Sequence, residues 1–218
     1  MRQTRDPRQI QRYIDSFGLQ NYFSLNLTDI STLTFYDKDE PLSSEGELHN
    51  QLEFLLEGEC IAYTVTGANK IHCELHYRGF NVMGLVGALW NQPAINNIRS
   101  ITPCTMLAIP LDTYRDALLS DVKFLRFALE NLSSHIRKNA SHFERPEVRL
   151  ASFILQMEKD NVFDYNLTIC ADLLEVSYRH LLRTLLSLCD QGILQKRSKG
   201  IYIIQDRLML QRLAGVHI

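Results

Sequence analysis

Residues 166–189, NLTICADLLEVSYRHLLRTLLSLC, decide how this 218-residue chain is read. They hold two apolar helical patterns separated by a very short break before Ser177. Asn166 is placed to cap the first helix and Ser177 the second, because their side-chain oxygens accept the unpaired amides of a first helical turn. Ala171 sits where the two helices must approach closely, and Leu174, Val176, Leu181 and Leu185 supply the apolar wedge between them. Tyr178, Arg179, His180 and Arg183 crowd the start of the second helix. Four such side chains cannot all be buried, so they form a polar, basic face.

Two capped helices with almost no linker make a helix-turn-helix, and the basic face is what a recognition helix presents to a major groove. An arginine there donates two hydrogen bonds to guanine O6 and N7, a contact worth roughly 1–3 kcal/mol of discrimination. A helical hairpin with solvated arginines satisfies the same 24 residues. The next segment separates the two readings. Gln191-Gly192 leads to Ile193–Lys196, a turn at Arg197-Ser198-Lys199-Gly200, and Ile201–Ile204, which predicts a two-stranded hairpin with a basic tip. Lys196, Arg197 and Lys199 would neutralise phosphates, and a purely structural hairpin has little reason to concentrate one sign of charge beside the helix. From Ser177 to Gly200 the net charge is +4, although the whole chain is at −2. The strongest counterweight is residues 35–60, where eight acids face one base, Lys38. A stretch so acidic repels phosphate, so the nucleic-acid partner belongs to the C-terminal part.

Upstream, Pro146 lacks an amide donor and restricts Arg145, which marks a boundary between domains. Beyond it Val148, Leu150, Ala151, Ile154, Leu155 and Met157 share a helical face, and Asn161–Tyr165 reads as a connector. Before it, Leu125, Leu129, Leu132, Ile136, Asn139 and Phe143 recur at steps of four and three. That spacing fits a coiled-coil seam joining two copies of the chain, and equally an amphipathic helix lying on its own domain; Asn139 favours the seam, since a polar residue there fixes register.

Residues 25–109 alternate short apolar runs with turns, predicting a β-roll or sandwich, with Glu57-Gly58-Glu59 and Thr66-Gly67-Ala68-Asn69 as hairpin turns. Pro7–Phe17 reads as an earlier helix from Ile10, Tyr13, Ile14 and Phe17. Met1–Gln20 carries four arginines and no apolar run, which is not a secretory signal, and no stretch reaches eighteen apolar residues, which predicts a cytosolic protein without a membrane span. Five scattered cysteines without a C-x-x-C read first as isolated core thiols, with the alternative that Cys60, Cys73 and Cys104 meet on neighbouring strands beside His72 or His76 as a metal or redox site. His72, Glu74 and His76 share one face of a strand, which keeps open a cupin-like metal site or metalloenzyme with a helical domain that binds no DNA.

The order β-roll, long helix, winged helix resembles the Crp/Fnr family of bacterial transcription regulators, and Glu175-Val176-Ser177-Tyr178-Arg179-His180-Leu181-Leu182 is most similar to its YeiL-like branch. The resemblance implies an α+β protein: a cyclic-nucleotide-binding-like double-stranded β-roll over 1–110, a dimerisation helix region over 111–145, and a winged helix-turn-helix over 146–218. It implies a non-enzymatic homodimer on an inverted-repeat DNA site, with RNA polymerase as partner. It assigns Tyr178, Arg179 and Arg183 to bases and Asn166, Ser177 and His180 to neighbouring phosphates. Cyclic-nucleotide sensors of the family use a Gly-Glu pair and, about ten residues on, an Arg-Ser pair. Here those stretches read Asn81-Val82-Met83-Gly84-Leu85 and Gln92-Pro93-Ala94-Ile95, with Arg78 and Arg99 the nearest arginines. Without a guanidinium a buried cyclic phosphate is costly, so cyclic AMP and cyclic GMP are not expected, and no cofactor is. Leu85, Val86, Leu89, Trp90 and Ile95 predict an apolar filling instead, suited at most to a small apolar effector. The family's iron–sulfur branch needs thiolates near the start of the chain, and no cysteine precedes Cys60.

Overall fold

The computed structural model describes residues 1–65, 71–140 and 145–215, with only the backbone of 135–140. The chain divides into two compact units, Met1–His135 and Ile136–Ile218. The first contains β1 (Arg2–Thr4), α1 (Pro7–Phe17), α2 (Leu27–Ile30), β2 (Thr32–Tyr36), β3 (Pro41–Ser43), β4 (Gln51–Glu57), β5 (Glu59–Val65), β6 (Ile71–Arg78), β7 (Asn81–Met83), α3 (Leu85–Trp90), β8 (Asn97–Ser100), β9 (Cys104–Pro110), α4 (Leu111–Leu119) and most of α5 (Val122–Ala140). The second contains α6 (Pro146–Met157), β10 (Val162–Asp164), α7 (Leu167–Leu173), α8 (Tyr178–Asp190), β11 (Leu194–Ser198), β12 (Ile201–Ile204) and α9 (Arg207–Leu213). This is the expected α+β architecture.

The roll is two antiparallel sheets, ordered β1-β2-β9-β4-β7 and β3-β8-β5-β6. The central strands β4 and β9 of the five-stranded sheet are covered on both faces, which explains why they read as nearly continuous apolar runs. Alternate residues go to opposite sides. Leu52, Phe54 and Leu56 of β4, with Leu107 and Ile109 of β9, join a core that includes Ile10 and Ile14 of α1, Leu111 and Leu118 of α4, and Phe124, Phe127 and Ala128 of α5. Leu55 of β4, with Cys104 and Met106 of β9, points the other way into a smaller cluster with Cys60 of β5. Residues 111–132 are therefore partly roll core.

Local chemistry explains several boundaries. Pro7 opens α1 behind Asp6, whose carboxylate accepts the Arg8 amide, and Gly18 ends the helix at φ +62°. One expected hairpin turn is something else. Strand β4 pairs with β7 and β9, whereas β5 pairs with β6 and β8, so Gly58 at φ +94° is a corner where the chain leaves one sheet for the other. The turn expected at Thr66–Asn69 lies outside the described residues.

Sequence reasoning missed Glu53. Period two puts it between the sheets with Leu55, where it is 1% exposed; its carboxylate accepts the Tyr36 hydroxyl at 2.9 Å, and His49 Nε2 lies 3.1 Å away. Both carboxylate oxygens are thus engaged, as burial requires.

Candidate nucleic-acid interface

Helices α7 and α8 carry the caps read from the sequence. Asn166 Oδ1 accepts the amides of Thr168 at 2.9 Å and Ile169 at 3.2 Å, and Ser177 Oγ accepts the His180 amide at 3.2 Å. The turn between them is closed by the Glu175 amide on the Asp172 carbonyl and the Val176 amide on the Ala171 carbonyl. Glu175 takes φ +49°, a left-handed position where glycine is the usual residue, and this is the feature of the turn that its composition hid. Ala171, Leu174, Leu181 and Leu185 are buried in one core, with Val176 partly buried against it. Thr184 is also buried, its hydroxyl donating to the His180 carbonyl at 3.1 Å.

On the open side of α8, Ser177, Tyr178, Arg179 and Arg183 are exposed. Arg179 and Arg183 are four residues apart, so they stand one above the other on one face. His180 is placed differently from the phosphate role assigned to it. Arg183 donates to its Nδ1 at 2.8 Å, so the proton belongs on Nε2, and Nε2 is buried without a partner among the described residues. The ring is half-buried, with Nδ1 bonded to Arg183 and Nε2 turned inward.

The hairpin also departs from expectation in detail. Strand β11 runs on to Ser198 through a bulge at Arg197, so the tip is Lys199-Gly200 alone, with Gly200 at φ +83°. The connector at 161–165 contains β10, which pairs with β12 and completes a sheet ordered β10-β12-β11. Lys196, Arg197 and Lys199 are all exposed. They do not share one face, because Lys196 stands opposite Tyr202, which is in the core, while Arg197 occupies the bulge. Arg207 of α9 braces the base of this sheet, donating to Asn161 and Glu158 at 2.8 Å each, and its guanidinium holds the Glu158 carboxyl below the usual range.

The apolar residues of α5 are divided between the roll core and solvent. Phe124, Phe127 and Ala128 face the roll core, with Leu125 and Leu132 partly buried at its margin. Leu129 is 64% exposed and Val122 61%. Leu125 and Leu132, two residues of the expected stripe, thus also pack against the roll. The side chains of Ile136 and Asn139, and Phe143, lie outside the described residues.

In the roll, Ile98 packs against the inter-sheet cluster, so its neighbour Arg99 points to the opposite face of β8, where its guanidinium lies 5.4 Å from the Tyr63 ring centre. Arg78 is 3.1 Å from Glu59 in an ion pair. The predicted apolar filling is incomplete, since Leu85 is buried but Trp90 and Ile95 are 59% and 72% exposed. A recess of about 170 Å³ lies at residues 41–49, a segment whose Gly46 and Glu47 bond to the Ala94 backbone, and Ser43, Ser44, Glu47 and His49 make much of its lining polar. His72, Glu74 and His76 lie on β6 as expected, with Glu74 accepting from Thr64 and His76 3.0 Å from Glu59. Among the described residues no three His, Cys, Asp or Glu side chains are grouped to hold a metal ion. No described helix is long and apolar enough to cross a membrane.

Among solved structures, FixK2 from Bradyrhizobium japonicum aligns with a TM-score of 0.71, covering 84% of this chain and 97% of that one at 18% identity. The chain has the Crp/Fnr fold. A Crp/Fnr-family transcriptional regulator from Thermus thermophilus aligns at a TM-score of 0.65 and 16% identity, over 84% of this chain and 98% of that one. The c-di-GMP responsive global regulator CLP of Xanthomonas campestris also gives 0.65, at 15% identity over 90% and 99%. In sequence, the Crp/Fnr resemblance points to the YeiL branch: the regulatory protein YeiL of Escherichia coli O157:H7 is 29% identical over 197 residues, covering 86% of this chain and 89% of that one. No family model matches the chain.

Proposed function

We propose that this protein is a sequence-specific DNA-binding transcription regulator of the Crp/Fnr type, a binding protein and not an enzyme, acting in the cytoplasm as a homodimer on an inverted-repeat site. The observation that carries the reading is the exposed basic face of α8, with Arg179 and Arg183 in line, beside a hairpin carrying Lys196, Arg197 and Lys199. Tyr178, Arg179 and Arg183 read bases. Asn166, Ser177, Arg197 and Lys199 hold phosphates with Lys196 at the margin, and His180 acts by orienting Arg183. The test is a gel shift of pure protein on fragments of its own promoter region at low salt; failure to bind any fragment, with and without cell extract, defeats the reading. Half-sites are expected about one helical turn apart, roughly 34 Å, so footprinting should protect both. Lys199→Ala is expected to weaken specific and non-specific binding alike and to lower the salt slope by about one contact.

The homodimer reading rests on the exposed Val122 and Leu129 beside the roll-facing stripe of α5, an apolar edge that a second copy would cover. Leu129→Glu should halve the mass seen by light scattering. Because that side chain is mostly in solvent within one chain, the monomer should keep the helical circular dichroism of wild type, while its thermal midpoint falls by what dimerisation contributed. An unchanged dimer mass places the interface elsewhere.

We further propose that cyclic AMP and cyclic GMP are not its ligands. Arg78 is engaged with Glu59, Arg99 faces away from the inter-sheet layer, and that layer already holds the Glu53 carboxylate, which repels a phosphate. Calorimetry should show no micromolar binding of either nucleotide; binding that Arg99→Ala abolishes would overturn this. Any effector, and contact with RNA polymerase, is part of the same reading.

A further inference from the structure

Cys60 and Cys104 are not the isolated core thiols that their spacing predicts. Cys60 stands opposite Ser100 in the four-stranded sheet, and Cys104 opposite Tyr36 in the five-stranded one. Across the layer between the sheets their sulfurs are 3.5 Å apart, and the residues are 0% and 3% exposed. That separation is about 1.5 Å longer than a disulfide bond, a gap that small side-chain and backbone shifts can close.

The surrounding corner is tight. A Cβ at Gly58 would lie 2.3 Å from the Pro103 carbonyl oxygen and 2.7 Å from Cys104 Sγ. Gly58 itself is partly exposed, and the Cys104 sulfur beside it also lies 3.2 Å from the Thr102 carbonyl oxygen and 3.4 Å from that of Glu59. The two thiols are also unequal. The bond to Cys104, with burial and the nearby Glu53 and Glu59 carboxylates, pushes the Cys60 thiol up, and the same bond holds Cys104 down. Cys104, whose sulfur lies beside the partly exposed Gly58 while Cys60 is fully buried, is assigned as the nucleophile and Cys60 as the resolving thiol.

We propose that Cys60 and Cys104 form a reversible dithiol–disulfide site that joins the two sheets of the roll, with a hydroperoxide as oxidant. The Cys104 thiolate attacks the outer oxygen of the peroxide and the O–O bond breaks. The leaving alkoxide takes up the proton that Cys104 released, giving an alcohol (water from hydrogen peroxide) and a sulfenic acid on Cys104. The Cys60 sulfur then attacks the Cys104 sulfur. The S–O bond breaks, and hydroxide leaves as water with the Cys60 proton. Two thiols lose two electrons and the peroxide gains them.

The site is independent of the DNA-binding reading and is tested on the thiols directly. The full-length, pre-reduced protein is treated with hydrogen peroxide, unfolded in excess alkylating agent and digested without reductant. The expected product is one cross-linked peptide pair containing Cys60 and Cys104, lighter by two hydrogens and restored by dithiothreitol, with Cys73, Cys170 and Cys189 alkylated. In Cys60→Ser the reaction should stop at the sulfenic acid, captured by dimedone on Cys104. Alkylation of all five cysteines after peroxide, or a disulfide joining any other pair or two chains, overturns the proposal. The wild-type digest decides this even if the variant fails to fold.

Discussion

Replacing Arg179 and Arg183 together by alanine is expected to erase the preference of this protein for its own site over a scrambled one. Both guanidinium groups project from the exposed side of α8, whose buried side is held by Leu181, Thr184, Leu185 and Leu188. The double variant should therefore keep its helical circular dichroism while losing its contacts. If each arginine makes a bidentate pair with a guanine, each is worth about 1–3 kcal/mol of discrimination, so the specificity ratio should fall by roughly one to four orders of magnitude. The measurement is competition between specific and scrambled DNA at fixed salt. The residual binding should match the non-specific binding of the wild type apart from two lost charges. An equal loss on both sequences would mean that the arginines touch only phosphate, and an unchanged ratio would remove α8 from the interface.

The second large effect is on stability. Gly84 follows β7 at φ +83° and accepts the Ala88 amide as α3 begins, and a Cβ there would lie 2.2 Å from the Gln51 carbonyl oxygen. That oxygen belongs to the first residue of β4, so relieving the clash requires backbone movement, not a side-chain shift. Gly84→Ala adds left-handed strain of about 1–2 kcal/mol to an overpacking cost of about 1–3 kcal/mol. Gly79 provides the control. Its φ is +69° but a Cβ would meet nothing within 4 Å, so Gly79→Ala carries the strain alone, offset by about 0.4–1 kcal/mol from a stiffer unfolded chain. Urea unfolding followed through Trp90, the sole tryptophan and a residue of α3, should show a far lower midpoint for Gly84→Ala than for Gly79→Ala. Equal midpoints would show that the β4 backbone gives way.

Much of the C-terminal unit was legible because its signals are local. The caps at Asn166 and Ser177, the small Ala171 and the apolar spacing of α8 act within a few residues of one another, and each is visible in the chain. The turn conformation at Glu175 was not, since no glycine announced it and hydrogen bonds to Ala171 and Asp172 impose it. The orientation of His180 was likewise hidden: a histidine beside arginines reads as one more basic contact until its Nδ1 is seen to receive Arg183. Strand β11 outran its apolar residues because ladder bonds to β12 continue past Lys196.

By itself, then, the sequence determined the periodicities: short strands to residue 110, helices of period 3.6 and one hairpin afterwards, the break at Pro146, and a net positive charge over residues 177–200. Tertiary structure alone decided which strand joins which sheet. Gly58 turns a corner instead of closing a hairpin because β4 and β5 find their partners far along the chain, and no local preference encodes that choice. The same long-range pairing buries Glu53 against Tyr36 and His49, splits the apolar residues of α5 between the roll and open solvent, and brings Cys60 to Cys104 across 44 residues. Local propensity acts over a turn or a strand, whereas these contacts form only when two sheets close on each other and exclude the water between them.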